Sequence, residues 1–269
     1  MKFIHISDTH LVAHGEGHYA SDPAYKLKKA IESINTYQND ADFVVITGDL
    51  TDKGELLVYY DLKSILDNLL IPYYLIIGNH DNRDNYFAAF NDKYNYESFA
   101  QLNVIKNDSL LLFLDTKIGD WHDGGFCESR FKWLENKLEE NKHLPSYLFM
   151  HHPPFIINHK HMDNIGFGLK EDFWNIIEKY KNVKHIFFGH VHLLISGVYR
   201  GVGYSSTRST NHQVSLISQG EISYFSSSEQ PTYAIVNINQ EQVNSISHEY
   251  LTEEFMYKSF IPTKETNGI

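Results

Sequence analysis

Short apolar runs without polar alternation recur along most of the chain, separated by segments of helical period. Phe3 to Ile6, Phe43 to Ile46, Tyr73 to Ile77, Leu110 to Leu114, Tyr147 to Met150 and Lys184 to Phe188 predict strands. Pro23 to Tyr37 sets Tyr25, Leu27, Ile31 and Ile34 at near-helical spacing and predicts a helix. Gly54 to Leu70, Phe131 to Leu138 and Glu171 to Tyr180 predict three more, and Pro72 breaks the chain before the third strand. Strands that are apolar at nearly every position are covered on both faces. Strand, helix and strand in repetition predict α/β layers with parallel pairing. In such sheets ligands gather beyond the carboxyl ends of the strands.

The pattern changes after residue 195. From Ser196 to Leu251 the helical period disappears, and Ser, Thr, Gly and β-branched residues dominate. Val198 to Tyr199, Val214 to Ile217, Ile222 to Phe225, Ala234 to Ile238 and Val243 to His248 predict short, mainly antiparallel strands. The expected division is therefore 1–195 as an α/β core and 196–269 as a β-rich region. That region either completes a second sheet or forms a cap or oligomerisation lobe. The tail after Phe260 is expected to fray.

Composition narrows the class. Over 269 residues, 42% hydrophobic and 14% aromatic content supports a substantial core. The formal net charge of −11 argues against a nucleic-acid polymer or an anionic membrane as partner, because basic patches supply most of that affinity. A small anion stays within reach, since bound dications invert the local charge. Cys127 is the only cysteine, which fits a reducing compartment. No signal-peptide pattern precedes Phe3, and no run of 18 or more apolar residues predicts a membrane helix, so a cytoplasmic protein is expected.

Five polar segments stand at the predicted strand ends: Asp8-Thr9-His10, Gly48-Asp49, Gly78-Asn79-His80-Asp81, His151-His152 and Gly189-His190-Val191-His192. Carboxylate and imidazole ligands suit borderline divalent metals. The ligands are too many for one tetrahedral ion and suit two ions sharing a carboxylate. At a strand end, full extension would put Asp8 and His10 on one face. Gly48 lets the backbone pass close to an ion, and Asp49 can bridge. Asn79 supplies a neutral oxygen, leaving His80 to point elsewhere and donate a proton. Taken singly, each segment is also an ordinary polar turn; their order at successive strand ends is what carries the reading. Asp81 has two readings, a support for its neighbours or the N-cap of a helix from Arg83 to Phe90. His5 reads as a core histidine, whereas His122, His143, His159, His161 and His185 have no motif around them and are expected on surfaces or loops.

The ordered set D-x-H, G-D, G-N-H-[DE], H and G-H-x-H closely resembles the calcineurin-like metallophosphoesterase superfamily. His5 to His10 and Met150 to Pro154 look like its class III cyclic-nucleotide phosphodiesterases and bacterial glycerophosphodiesterases. The resemblance implies a four-layer α/β-β/α sandwich, here with a β-rich C-terminal extension. It implies two divalent transition-metal ions (Fe, Mn, Zn or Co), one on Asp8, His10, Asp49 and His192, the other on Asp49, Asn79, His151 and His190. It implies hydrolysis of small phosphodiesters, glycerophosphodiesters or 3′,5′-cyclic nucleotides, by a hydroxide held by the ions, with His80 assisting the leaving oxygen. Tyr19 and His212 match substrate-pocket positions of the glycerophosphodiesterase relatives, and oligomeric relatives imply a homo-oligomer. The competing readings are a phosphomonoesterase or nuclease of the same superfamily, and a non-catalytic scaffold with the same fold. No Walker motif or Gly-x-Ser-x-Gly elbow supports another hydrolase class.

Overall fold

The computed structural model describes residues 1–18, 21–93, 98–216, 226–227 and 229–251. In chain order these form β1 (Lys2–Ile6), α1 (Pro23–Tyr37), β2 (Phe43–Thr47), α2 (Leu56–Leu66), β3 (Tyr73–Ile76) and α3 (Arg83–Phe90). Then come β4 (Leu102–Lys106), β5 (Ser109–Phe113), α4 (Glu128–Glu140), β6 (Ser146–Met150), α5 (Lys160–Asn164), α6 (Lys170–Lys179) and β7 (Val183–Phe188). The remainder is all strand: β8 (Ser196–Tyr199), β9 (Val202–Ser206), β10 (Gln213–Val214), β11 (Ser226–Ser227), β12 (Tyr233–Ile238) and β13 (Val243–His248). The expected strand at Ile222 to Phe225 and the tail after Phe260 lie outside the described residues.

Two sheets face each other. One runs β13-β12-β1-β2-β3 and the other β4-β5-β6-β7-β9-β8. β1, β2 and β3 are parallel, as are β5, β6, β7 and β9, while β12 and β13 add antiparallel strands to the first sheet. Period-2 geometry then sorts each strand between two cores. Along β1, Ile4 and Ile6 pack with Leu27, Ile31 and Ile34 of α1 and Leu62 of α2. Phe3 turns the other way, into an aromatic core with Phe43, Phe113, Phe149 and Phe187 between the sheets. Phe3 and Phe43 stack at 4.9 Å, and Phe113 and Phe149 at 4.8 Å. The outer face of the second sheet packs on Leu134 of α4 and Phe173 and Trp174 of α6. Helices, sheet, sheet and helices make the expected four layers.

The helix ends follow local chemistry. α1 starts where the Asp22 side chain accepts from Tyr25 N, with Pro23 at the first position. α3 is capped by Asn82, which accepts from Asn85 N. That removes the capping reading of Asp81. The second predicted helix is shorter than Gly54 to Leu70, because Gly54 takes φ +67° and lies outside the helix. β4, α5, β9 and the two-residue β11 are absent from the sequence reading. β4 is an edge strand with alternating exposure, α5 is too short to show a period, and β9 is rich in small polar residues. Its Ser205 and Ser206 are buried and spend their hydroxyls on His185 and on Leu193 O. The β-rich C-terminal residues divide among the two sheets and a separate β10-β11 pair, and the Ser209–Thr210 stretch braces the first motif through Ser209 Oγ to Asp8 O (2.7 Å) and Thr210 N to Ser7 O (3.3 Å).

Candidate metal centre

All five motif segments follow directly on β1, β2, β3, β6 and β7, at the carboxyl ends of both sheets. Their backbones run side by side: Asp8 N donates to Gly48 O (3.1 Å), and His10 N to Asp49 O (2.9 Å). Strand extension is not what brings Asp8 and His10 together. Asp8, His10, Asp49, His190 and His192 all have left-handed φ, from 41° to 69°. Such backbone costs about 1–3 kcal/mol per residue and persists where surrounding structure enforces it. Gly48 has φ +96°, and a Cβ there would sit 2.4 Å from His151 Nδ1, so glycine is required for this approach.

The expected first ligand set comes together. Asp8, His10, Asp49 and His192 each offer a ligand atom, all within 4.8 Å of one another. His192 Nε2 lies 3.4 Å from Asp8 Oδ1, and His10 Nε2 3.7 Å from Asp49 Oδ2. The second set adjoins it: His151 Nε2 is 3.2 Å from Asp49 Oδ2 and 3.1 Å from Asn79 Oδ1. Asp49 therefore touches both sets. His190 lies beside His151, ring centroids 5.1 Å apart, and its Nε2 is buried with no hydrogen-bond partner.

The outer contacts aim these rings. His151 Nδ1 donates to Thr47 O (2.7 Å), His192 Nδ1 to His212 O (2.8 Å), and His10 Nδ1 faces Asp52 Oδ1 at 3.3 Å. Each such bond turns Nε2 into the site, as is usual for metal-ligating histidine. Two Nε2 atoms so aimed, on His10 and His192, then face each other at 3.1 Å. Opposed lone pairs, an orphaned His190 Nε2 and two carboxylates form a donor set that fits divalent cations.

Protonation follows the same geometry. Burial lowers His10 to about 4 and His190 well below the usual histidine value, so both are neutral. Burial also opposes charge on His151, but the Asp49 carboxylate beside it raises that ring to about 9. Burial opposes ionisation of Asp8, yet His192 holds it down at about 2. For His80, burial favours the neutral ring, but the Asp49 carboxylate and the Asp52 carbonyl raise it above the usual value.

His80 belongs to neither set. Its backbone N donates to Asp49 Oδ1 (2.9 Å), and its ring Nδ1 donates to Asp52 O (2.9 Å), so Nε2 is left for the cavity. That cavity, about 260 Å³, is lined by His10, Asp49, Asn79, His80, His190 and His192 among others. Asp81 supports the floor. Its carboxylate accepts from Leu50 N, Thr51 N, Gly78 N and the Tyr59 hydroxyl, locking the Asp49 loop to the Asn79 loop.

Several residues stand where their sequence context gives no sign of it. Asp52 belongs to no motif, yet its Oδ1 lies 3.0 Å from His18 Nε2, 3.3 Å from His10 Nδ1 and 3.6 Å from His80 Nδ1. Burial works against its charge, but hydrogen bonds from His10 and His18 hold it far below the usual carboxylate range. Only its spacing three residues after Asp49 is visible in the sequence. His212 does line the cavity, its ring 4.5 Å from His192, whereas Tyr19 lies outside the described residues. His122 and His161, expected on surfaces or loops, also line the cavity. His152 spends both ring nitrogens, on Thr116 Oγ1 (2.8 Å) and His122 O (3.1 Å), and holds the 116–124 loop. His5 is a core histidine, bonded to Thr47 Oγ1 at 2.8 Å.

The calcineurin-like phosphoesterase profile matches residues 1–194. A probable cyclic nucleotide phosphodiesterase of Rhodopseudomonas palustris is 36% identical over 249 residues, covering 90% of each chain. A probable glycerophosphodiester phosphodiesterase of Arcobacter nitrofigilis is 33% identical, covering 80% of this chain and 81% of its own. The crystal structure of a dimetal phosphatase from Danio rerio shares the fold with a TM-score of 0.71 at 14% identity, covering 93% of this chain and 96% of that one.

Proposed function

Since the chain belongs to the calcineurin-like phosphoesterase family, we propose that it is a metal-dependent phosphodiesterase acting on small phosphodiesters. The observation that carries this reading is the double donor set that meets at Asp49. Asp8, His10, Asp49 and His192 would hold one divalent ion, and Asp49, Asn79, His151 and His190 the other. Such ions supply Lewis acidity, offsetting charge on phosphoryl oxygens and acidifying water. Iron, manganese, zinc and cobalt all suit this nitrogen and oxygen set.

The chain's own residues do the rest. His80 presents Nε2 to the cavity from an anchored Nδ1, so it donates to the departing alkoxide oxygen. Asp52 holds His10 and His18 and steadies His80 through its carbonyl. The relatives' names make glycerophosphodiesters and cyclic nucleotides the substrates to try first. Among the described residues no helix is long and apolar enough to cross a membrane. The cytoplasmic location and a homo-oligomer stand as parts of the same proposal.

The test is metal analysis of the purified chain together with hydrolysis of a diester, a monoester and single-stranded DNA after Mn or Fe loading. About two ions per chain and a preference for small diesters are expected. A loaded protein that cleaves no diester, or that prefers the monoester or the DNA, sinks the reading.

A further inference from the structure

The residues that would read the alcohol side of a substrate come from three segments that share no motif. The 116–124 loop brings His122 to the cavity, the β6–α6 connection brings His161, Met162 and Ile165, and the segment after β9 brings Val214. His122 is held in place by Asn79, whose Nδ2 donates to His122 Nδ1 at 3.2 Å. With Nδ1 accepting, Nε2 is the nitrogen that carries a ring proton, a donor beside His80, with ring centroids 5.6 Å apart. The three segments are tied to one another. Gly124 N donates to Gly166 O (3.2 Å) and Gly168 N to Gly124 O (2.7 Å), while His159 Nε2 donates to Ser215 O (3.3 Å). Any Cβ on Gly124 would lie 2.2 Å from His152 Nδ1, so this loop packs only as glycine allows. The wall is therefore pre-formed, which lowers the ordering cost of binding.

Its chemistry is one-sided. Met162 and Val214 line the cavity at only 4% and 1% exposure and Ile165 is half-buried, so the floor between the imidazoles is apolar and closely packed. A polyol laid against it would lose water from several hydroxyls without replacing those hydrogen bonds. A flat heterocycle or aryl ring would cover Met162, Ile165 and Val214 and stack on imidazole. Among the described residues lining the cavity there is also no Lys or Arg. Lys117, close by, spends its Nζ on Asn79 O (2.9 Å), and Arg83 spends its guanidinium on Asp115.

We propose that His122, His161, Met162, Ile165 and Val214 form the alcohol-selecting wall of this site, and that it selects a singly charged diester whose alcohol bears a flat, apolar-faced ring over one whose alcohols are polyols. The phosphate end of this inference rests on the diesterase reading; the wall itself is tested apart from turnover.

The experiment uses the full-length, metal-loaded chain and the double variant Met162→Gln, Val214→Thr, which keeps side-chain size while making the floor polar, with its melting temperature read beside wild type because both residues also belong to the core under the second sheet. Both proteins are assayed for kcat/KM on cyclic AMP and on glycerophosphoglycerol, with bis(p-nitrophenyl) phosphate as the aryl arm. Adenosine binding is measured by titration calorimetry, and metal content by elemental analysis. Wild type is expected to favour the ring-bearing diesters. The variant should shift that ratio at least tenfold toward glycerophosphoglycerol, mainly through KM, and weaken adenosine to a similar degree at unchanged metal content. His122→Ala should raise KM for cyclic AMP more than for glycerophosphoglycerol. A wild type that favours glycerophosphoglycerol, a ratio unmoved by the double variant, or no measurable adenosine binding overturns the wall. Absence of all diester turnover in the loaded wild type overturns the diesterase reading instead, and adenosine binding still decides the wall.

Discussion

Histidine is buried in two regions of this protein, and the two regions spend its nitrogens differently. Between the sheets, His5 Nε2 meets Thr47 Oγ1 at 2.8 Å and His185 Nε2 meets Ser205 Oγ at 2.9 Å. Each ring is paired with a hydroxyl and packed near Phe187, and nothing further is required of it. At the strand ends, His10 and His192 point Nε2 atoms at each other from 3.1 Å, and His190 Nε2 has no hydrogen-bond partner. Burial is the same in both places. What marks the metal centre is the direction of the inner nitrogens, fixed by bonds that the outer nitrogens make to Thr47 O, His212 O and Asp52.

The sharpest way to break this contrast is at Asp49, the carboxylate placed in both ligand sets. Asp49→Ala should lose both ions and reduce diester hydrolysis by about 10⁴-fold or more, as removal of several kcal/mol of charge stabilisation implies. Elemental analysis that still finds both ions would show that the two sets do not depend on Asp49. His80→Ala comes next. It should keep both ions but slow esters with poor leaving groups by roughly 10²-fold or more, and activated aryl esters less. A rate series against leaving-group pKa checks it, and an unchanged slope removes His80 from the acid role.

Asn79→Ala should weaken the second ion by at least roughly 10-fold, in the range that loss of an outer partner alone produces, and spare the first. Metal titration showing equal loss at both places would contradict the assignment. Stripping the ions with a chelator should lower the melting temperature by roughly 5–10 °C, since ligand at about a hundred times Kd is worth about 2.7 kcal/mol. The smallest effect belongs to the sheet interior. Burial lowers the folded His5 ring to about 3, so the folded state resists a proton that the unfolded chain accepts near the ordinary histidine value of 6.5. Its share of stability is fully present above that value and is lost as pH falls toward 3. His5→Leu should leave metal content intact, change stability by no more than about 2 kcal/mol, and flatten the acid limb of the stability curve. Loss of an ion in His5→Leu would erase the distinction between the two regions.

Much of the fold is legible in the sequence because it rests on local periodicity. The runs at Phe3, Phe43, Tyr147 and Lys184 form strands buried on both faces, and their ends carry the motif segments. β4, β9 and α5 are not legible, for an edge strand alternates, a serine-rich strand depends on partners elsewhere, and a five-residue helix has no period. Asp52 and His122 escape a sequence reading for a related reason. Their roles lie in bonds to His10, His18, Asn79 and His152, and no spacing along the chain encodes those.

The sequence by itself determined which donors exist, their order, and that they follow strands whose parallel pairing puts their ends on one rim. Side-chain type and the period of apolar positions are local properties, and both are written residue by residue. Only the tertiary structure decided that Asp49 touches both sets, that Asp81 ties two loops rather than capping α3, and that five donors reach the centre through left-handed backbone instead of strand extension. Those outcomes depend on long-range hydrogen bonds and on packing that holds strained φ angles in place, which are properties of the assembled sandwich rather than of any segment.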